Sequence, residues 1–388
     1  MYLMKKAKKR RRGKRAVWII ILGIAMIFWA FLPPSPGKLP LFYDDSGNVI
    51  PDSITEKTYI DVDGTQIGML ITGKNRSNPI LLFLGGGPGI PEYLLEYLYP
   101  SKLADEFVVC YLEYRGTSIS YHPQLDAGTL TTECYLSDVA AVTEYLRKRF
   151  SQEKIYLLGH SFGTFIGIQA AYEHPEFYHA YIAMAQIVNQ PESEIIAYDY
   201  MLDHYRQVGN LKMVRDFEKY PIASSDSVYK EYCKSSLRDN AMHALGVGTT
   251  HTMDSVITGI FLPSLRCKAY TPMERINIWR GKKLVSASPV GAESMRFNAY
   301  DKVPSLEIPI YFFGGSYDYT CCYDLQKEYF TMIEAPMKGF YTFENSAHSP
   351  LWEESEHAIQ ILIQDILKGK NELSDSSHKG LWAEFSNV

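Results

Sequence analysis

The sequence predicts an α/β protein: a mostly parallel central sheet with helices on both faces, a helical insertion, and an apolar helix ahead of the body. Three observations carry this. Short apolar runs such as NPILLFLGG, FVVCYLEYRG, KIYLLG, YHAYIAMA and IPIYFFGG alternate with helical patterns, the signature of strands buried on both faces. Residues 190–300 interrupt that rhythm, and VITGIFLPSL and MERINIWRGKKL within them read as helices. Residues 16–32 hold 17 residues without a charge, at the short end for a membrane-spanning helix.

From the start of the chain, residues 1–15 carry nine of the 39 Lys and Arg and no acid. The remainder therefore holds 30 basic residues against 44 Asp and Glu. A basic end on an acidic body suggests a tail with its own role, not a nucleic-acid-binding domain. Followed by the apolar run, with Trp18 and Trp29 near its ends, the tail reads as the cytoplasmic flank of a single-pass transmembrane anchor. That reading leaves the body extracytoplasmic, at the cell membrane. A cleaved signal peptide is the rival, although Phe28 to Leu32 is bulky for a cleavage site. A polybasic nuclear signal would leave the apolar run unexplained. Residues 33–57 are rich in turn formers and are expected to be a stalk. The body follows as a first half (58–189), the insertion (190–300) and a second half (301–370), with a polar tail over 371–388.

Within the body, YIDVDGTQIGMLITG reads as two strands around an Asp63-Gly64 turn. TTECYLSDVAAVTEYLRKRF is a helix, with Leu136, Val139, Val142, Leu146 and Phe150 at spacings of three and four. Glu133 in its first turn and Arg147, Lys148 and Arg149 in its last suit the helix dipole. FGTFIGIQAAYEHP is a second helix that stops at Pro175, and DLQKEYFTMI a third. The six cysteines form no C-x-x-C pair, and no His-Cys cluster has zinc spacing, so neither a metal nor another cofactor is expected. Disulfides are compatible with their even number.

Chemistry concentrates at YLLGHSFGTFIG. Ser161 stands between Gly159 and Gly163, where an apolar strand turns into a helix. Such a turn lifts a side chain above the sheet edge. A serine hydroxyl needs a base, and the base an orienting acid. Asp318 lies just past one late strand and His348 in the loop after the next, so both face the same edge. The rival acid, Asp324, falls inside a helix. Among rival bases, His160 should point away from Ser161, His357 falls on a helix, and His174 precedes Pro175 at a helix end. Backbone N–H donors for an oxyanion are expected from Phe162 and from the glycine turn at 85–89. There Pro88 has no N–H, so Gly87, with Gly86 as the alternative, is the donor.

The order GGGPG (85–89), EYRGTSIS (113–120), GHSFG (159–163) resembles the proline iminopeptidase family of α/β-hydrolases, over roughly 58–189 and 301–368. That family shows HGGPG, D-Q-R-G-x-G-x-S and G-H-S-x-G or G-G-S-W-G. The resemblance implies an α/β-hydrolase fold with Ser161 as nucleophile, Asp318 as acid, His348 as base, and Gly87 and Phe162 at the oxyanion. It also implies that the insertion is a cap whose acids hold a substrate's amino group, with Glu192, Glu194, Glu274 and Glu293 as candidates by location. Gly85, Glu113, Tyr114 and Ser118 depart from the family pattern. The expected activity is that of an aminopeptidase on small peptides. A carboxylesterase or lipase on acyl esters is the alternative, and a non-catalytic binding protein a third reading.

Overall fold

The computed structural model describes residues 32–375. Eight strands form one sheet: β1 (Ile54–Val62), β2 (Thr65–Gly73), β3 (Ile80–Leu84), β4 (Val108–Glu113), β5 (Ile155–His160), β6 (Tyr178–Met184), β7 (Ile310–Gly315) and β8 (Lys338–Phe343). Their spatial order is β1-β2-β4-β3-β5-β6-β7-β8. The β1–β2 and β2–β4 pairs are antiparallel, and every pair from β4 through β3, β5, β6 and β7 to β8 is parallel. The β1–β2 turn takes positive φ at both Asp63 and Gly64, which matches the twist of a two-residue hairpin. β3 to β7 are buried along their whole length, apart from His179, because helices cover both faces. Two apolar clusters result, one on each face. Val139, Val142, Phe165 and Ile166 lie in one, and Phe83, Tyr111, Leu351 and Ile361 in the other.

Between β6 and β7 the chain leaves the sheet for the insertion. It includes helices Gln190–Gln207, Leu211–Phe217, Asp226–Lys234, Ser236–Ala244 and Pro272–Ser286. The first four close on an apolar cluster of their own, around Tyr198, Met201, Phe217 and Tyr232. Residues 257–261, expected to be helical, form a π-helical turn. Helix Pro272–Ser286 lies against the sheet's carboxyl edge. A Cβ on Gly281 would stand 2.6 Å from Thr117 Cα and 2.7 Å from the Gly116 carbonyl oxygen, so the contact is backbone to backbone.

The membrane placement does not stand. Among the described residues no helix is long and apolar enough to cross a membrane. Residues 1–31, which hold nearly all of the expected anchor 16–32, lie outside the described residues. The stretch expected as a stalk also differs. Leu39 is buried, the Pro33 carbonyl accepts from Arg275 Nη1 at 2.7 Å, and Ser35 Oγ donates to the Lys268 carbonyl at 2.6 Å. Four residues ahead of the expected start of the body, β1 has already begun.

Candidate active site

β5 ends at His160 and helix Phe162–Glu173 begins one residue after Ser161. Ser161 is the hinge, with φ 53° and ψ −121°, a conformation that L residues seldom adopt. Its N–H donates to the Met184 carbonyl at 3.1 Å, and its carbonyl accepts from Thr164 N at 2.8 Å and Thr164 Oγ1 at 2.6 Å. The flanking glycines are steric requirements. A Cβ on Gly163 would lie 1.9 Å from the Leu84 carbonyl oxygen, and one on Gly159 2.6 Å from the Gly163 carbonyl oxygen. As the first helical residue, Phe162 has an N–H without an intrahelical acceptor.

Asp318 and His348 stand in the loops after β7 and β8. Those loops meet so closely at Gly315 that a Cβ there would lie 1.9 Å from the Ala347 carbonyl oxygen. His348 Nδ1 is 3.0 Å from Asp318 Oδ1 and 2.9 Å from Oδ2. Oδ1 also accepts from Thr320 N at 2.9 Å and Cys321 N at 3.0 Å. Both side chains are buried. With Nδ1 turned to the acid, Nε2 is the nitrogen left for chemistry. Ser161, His348, Gly86 and Gly87 line one cavity of about 210 Å³. No hydrogen bond joins Ser161 to His348 directly. The serine hydroxyl lies against the Cys321 thiol, which burial and then the nearby Asp318 charge push well above the usual thiol range. Nucleophile–base contacts of this kind often tighten only when substrate arrives.

Three residues that the sequence reading missed, the buried Glu92 and His160 and the partly buried Glu353, hold this arrangement. Glu92 Oε2 accepts from Gly86 N at 2.7 Å, and Glu92 Oε1 meets His160 Nδ1 at 2.7 Å. His160 Nε2 then reaches the His348 carbonyl at 2.8 Å. The glycine turn at 85–89 and the His348 loop are thus tied through one imidazole. Burial lowers the His160 pKa, but the Glu92 charge and these hydrogen bonds outweigh it, and the net shift is upward. His160 is therefore neither a surface nor a capping residue. Because Gly86 N is spent on Glu92, Gly87 is the glycine of that turn with an amide to offer. The third is Glu353, whose Oε1 accepts from Ala347 N at 2.9 Å and Ser349 N at 3.3 Å on either side of His348. A proline-acid pair right after GGGPG and a histidine right before the serine were the available signals. Neither spacing reveals the partner.

The rival residues lie elsewhere. Asp324 opens helix Tyr323–Met332, His174 pairs with Glu176, and His357 packs on Phe343. The four cap glutamates do not offer free carboxylates to the cavity. Glu192 takes the Asn189 amide, Glu274 caps its own helix and pairs with Lys57, and Glu293 takes the Thr132 hydroxyl. Glu194 is buried and receives Arg238 Nε at 2.7 Å and Nη2 at 2.5 Å. The cap acid that does line the cavity is Asp239, which the sequence reading did not single out.

A sheet of this order, a serine on the turn after β5, and an acid and a histidine after β7 and β8 define an α/β-hydrolase. The chain belongs to the α/β hydrolase fold family, whose model matches residues 79–355, and it is a hydrolytic enzyme. It is 28% identical over 302 residues to a protein named probable aminopeptidase YbaC from Bacillus subtilis (strain 168), covering 78% of this chain and 93% of that one. Among solved structures it is similar to a proline iminopeptidase of Mycobacterium smegmatis, with a TM-score of 0.54 at 14% identity over 80% of this chain and 97% of the other. A thermophilic esterase from Thermogutta terrifontis gives 0.51 at 17% identity over 81% and 98%. At these identities the solved structures speak for the fold alone.

Proposed function

We propose that the chain is a serine hydrolase that removes the amino-terminal residue of short peptides through an acyl-enzyme. Ser161 Oγ attacks the scissile carbonyl while His348 Nε2 takes its proton, and Asp318 holds the imidazole in the required tautomer. The developing oxyanion meets the Gly87 and Phe162 N–H groups. Collapse breaks the amide bond, and His348 returns the proton to the leaving amine. Water, activated by the same imidazole, then releases the acyl group. The observation that carries this reading is the grouping of Ser161 with the Asp318–His348 pair around one small cavity. The relative named as a probable aminopeptidase supports the peptide substrate.

With Glu194 engaged by Arg238, the α-ammonium falls to Asp239. Its Oδ1 takes Arg238 Nη1 at 2.9 Å, and its side chain, more than half exposed, lines the cavity. The absence of a free cap glutamate keeps ester hydrolysis as the second reading. The test is a panel of amino-acyl arylamides, free and N-acetylated, beside short and long acyl esters. Free amines should react up to about 5-fold faster than acetylated ones, since an ion pair with a half-exposed carboxylate is worth about 1 kcal/mol at most. Equal rates, or a preference for acyl esters without an amine, would replace the peptidase by an esterase.

A further inference from the structure

The charges around the cavity are matched with one exception. Glu92 is held by Gly86 and His160, and Arg238 by Glu194 and Asp239. Lys282, on helix Pro272–Ser286, also lines the cavity, yet it makes no hydrogen bond or ion pair with another described residue. Its place is fixed by backbone packing. The spot that a Gly89 Cβ would occupy is 3.3 Å from Lys282 Cα and 3.4 Å from Lys282 N, and the preceding Gly281 abuts the 116–118 turn. The residue therefore rides on the glycine turn that carries Gly87. Burial holds its ammonium below the usual lysine range, and Asp239 only partly opposes that. An unpaired cation in such a cleft is costly unless an anion joins it.

We infer that Lys282 receives a substrate carboxylate, and that the preferred substrates are peptides whose leaving residue carries the free carboxyl terminus, dipeptides above all. This rests on the peptidase reading. One residue spans at most about 3.6 Å, so a carboxylate one residue beyond the scissile bond stays close to the oxyanion turn against which Lys282 packs. A cavity of about 210 Å³ also lies below the roughly 300–1,000 Å³ typical of drug-sized ligands. In the hydrolysis the amide C–N bond breaks, the acyl carbon bonds first to Ser161 Oγ and then to water oxygen, and the released amino acid keeps its carboxylate on Lys282 until it departs.

The experiment compares alanyl-alanine with alanyl-alaninamide, and O-acetyl-lactate with O-acetyl-lactamide, in which the carboxylate or amide likewise sits on the leaving group, in the full chain and in Lys282→Met and Lys282→Arg. The wild type should favour the acid of the peptide pair by roughly 10- to 100-fold in kcat/KM. Lys282→Met should bring that ratio close to one, and Lys282→Arg, which keeps the charge, should preserve most of it. An acid-to-amide ratio near one in the wild type, or one unchanged in Lys282→Met, overturns the inference while leaving the peptidase reading intact. If peptides are not cleaved but O-acetyl-lactate is favoured over O-acetyl-lactamide and loses that advantage in Lys282→Met, the peptidase reading falls and the carboxylate site stands. No advantage in the ester pair either overturns the site.

Discussion

Ser161, His348 and His160 make three separable claims at the scale of the single residue. If Ser161 carries the acyl group, a fluorophosphonate probe should label the wild type, and Ser161→Ala should abolish labelling. Labelling that survives removes Ser161 as nucleophile. His348→Ala should reduce kcat by on the order of 10³ or more, since base and acid are lost together. His160 lines the cavity but makes no hydrogen bond to Ser161 Oγ; its link to His348 runs through the His348 carbonyl. His160→Phe removes the donor to that carbonyl and leaves Glu92 buried with the Gly86 amide alone. A misplaced base costs up to about 10²-fold in rate, so kcat should fall while KM stays near its wild-type value. A wild-type kcat in His160→Phe, or a fall in kcat/KM that comes wholly from a raised KM, would contradict a positioning role.

At the scale of elements, the turn between β5 and helix Phe162–Glu173 is one of the two tightest joints among the described residues, the other lying at Gly315. Gly163 packs on the end of β3, where any Cβ would overlap the Leu84 carbonyl oxygen. Gly163→Ala must push the helix, and Ser161 with it, away from the sheet. The expected outcome is a loss of about 1–3 kcal/mol or more in denaturant unfolding, together with loss of activity. Wild-type stability and turnover in that variant would show that the turn has slack. This joint was legible in the sequence because a G-x-S-x-G turn between an apolar run and a helix is a local pattern. The strands were legible for the same reason: Ile80–Leu84 and Ile155–His160 are uninterrupted apolar runs. The supports of the site were not. His160 meets Glu92 and the His348 carbonyl 68 and 188 residues away, and a hydrogen bond across that distance leaves no periodicity to read. The fate of the cap glutamates was hidden likewise, since only the folded insertion sets Arg238 against Glu194. The packing of Leu39 escaped because a leucine among prolines and a glycine has the composition of a linker.

At the scale of the whole molecule, the insertion and the sheet are joined at a buried carboxyl. Glu113 ends β4 and accepts the Tyr270 hydroxyl from the insertion at 2.7 Å. Burial raises its pKa from 4.5 to about 7, against the lowering effects of Tyr270, Ser118 and Lys57. The folded state therefore binds this proton more tightly than the unfolded chain does. The stability it contributes is fully present below about pH 4.5 and is lost as pH rises through 7. Glu113→Gln keeps an oxygen for Tyr270 but carries no charge to bury. Its stability relative to the wild type should improve between pH 4.5 and 8 by up to about 3 kcal/mol, the equivalent of that shift. Denaturant unfolding of both proteins at pH 5 and pH 8 measures the difference. A stability gap that is the same at both pH values would mean that Glu113 is ionised in the folded protein throughout. The seam between insertion and sheet would then have to be held by the backbone contact at Gly281 and not by a protonated carboxyl.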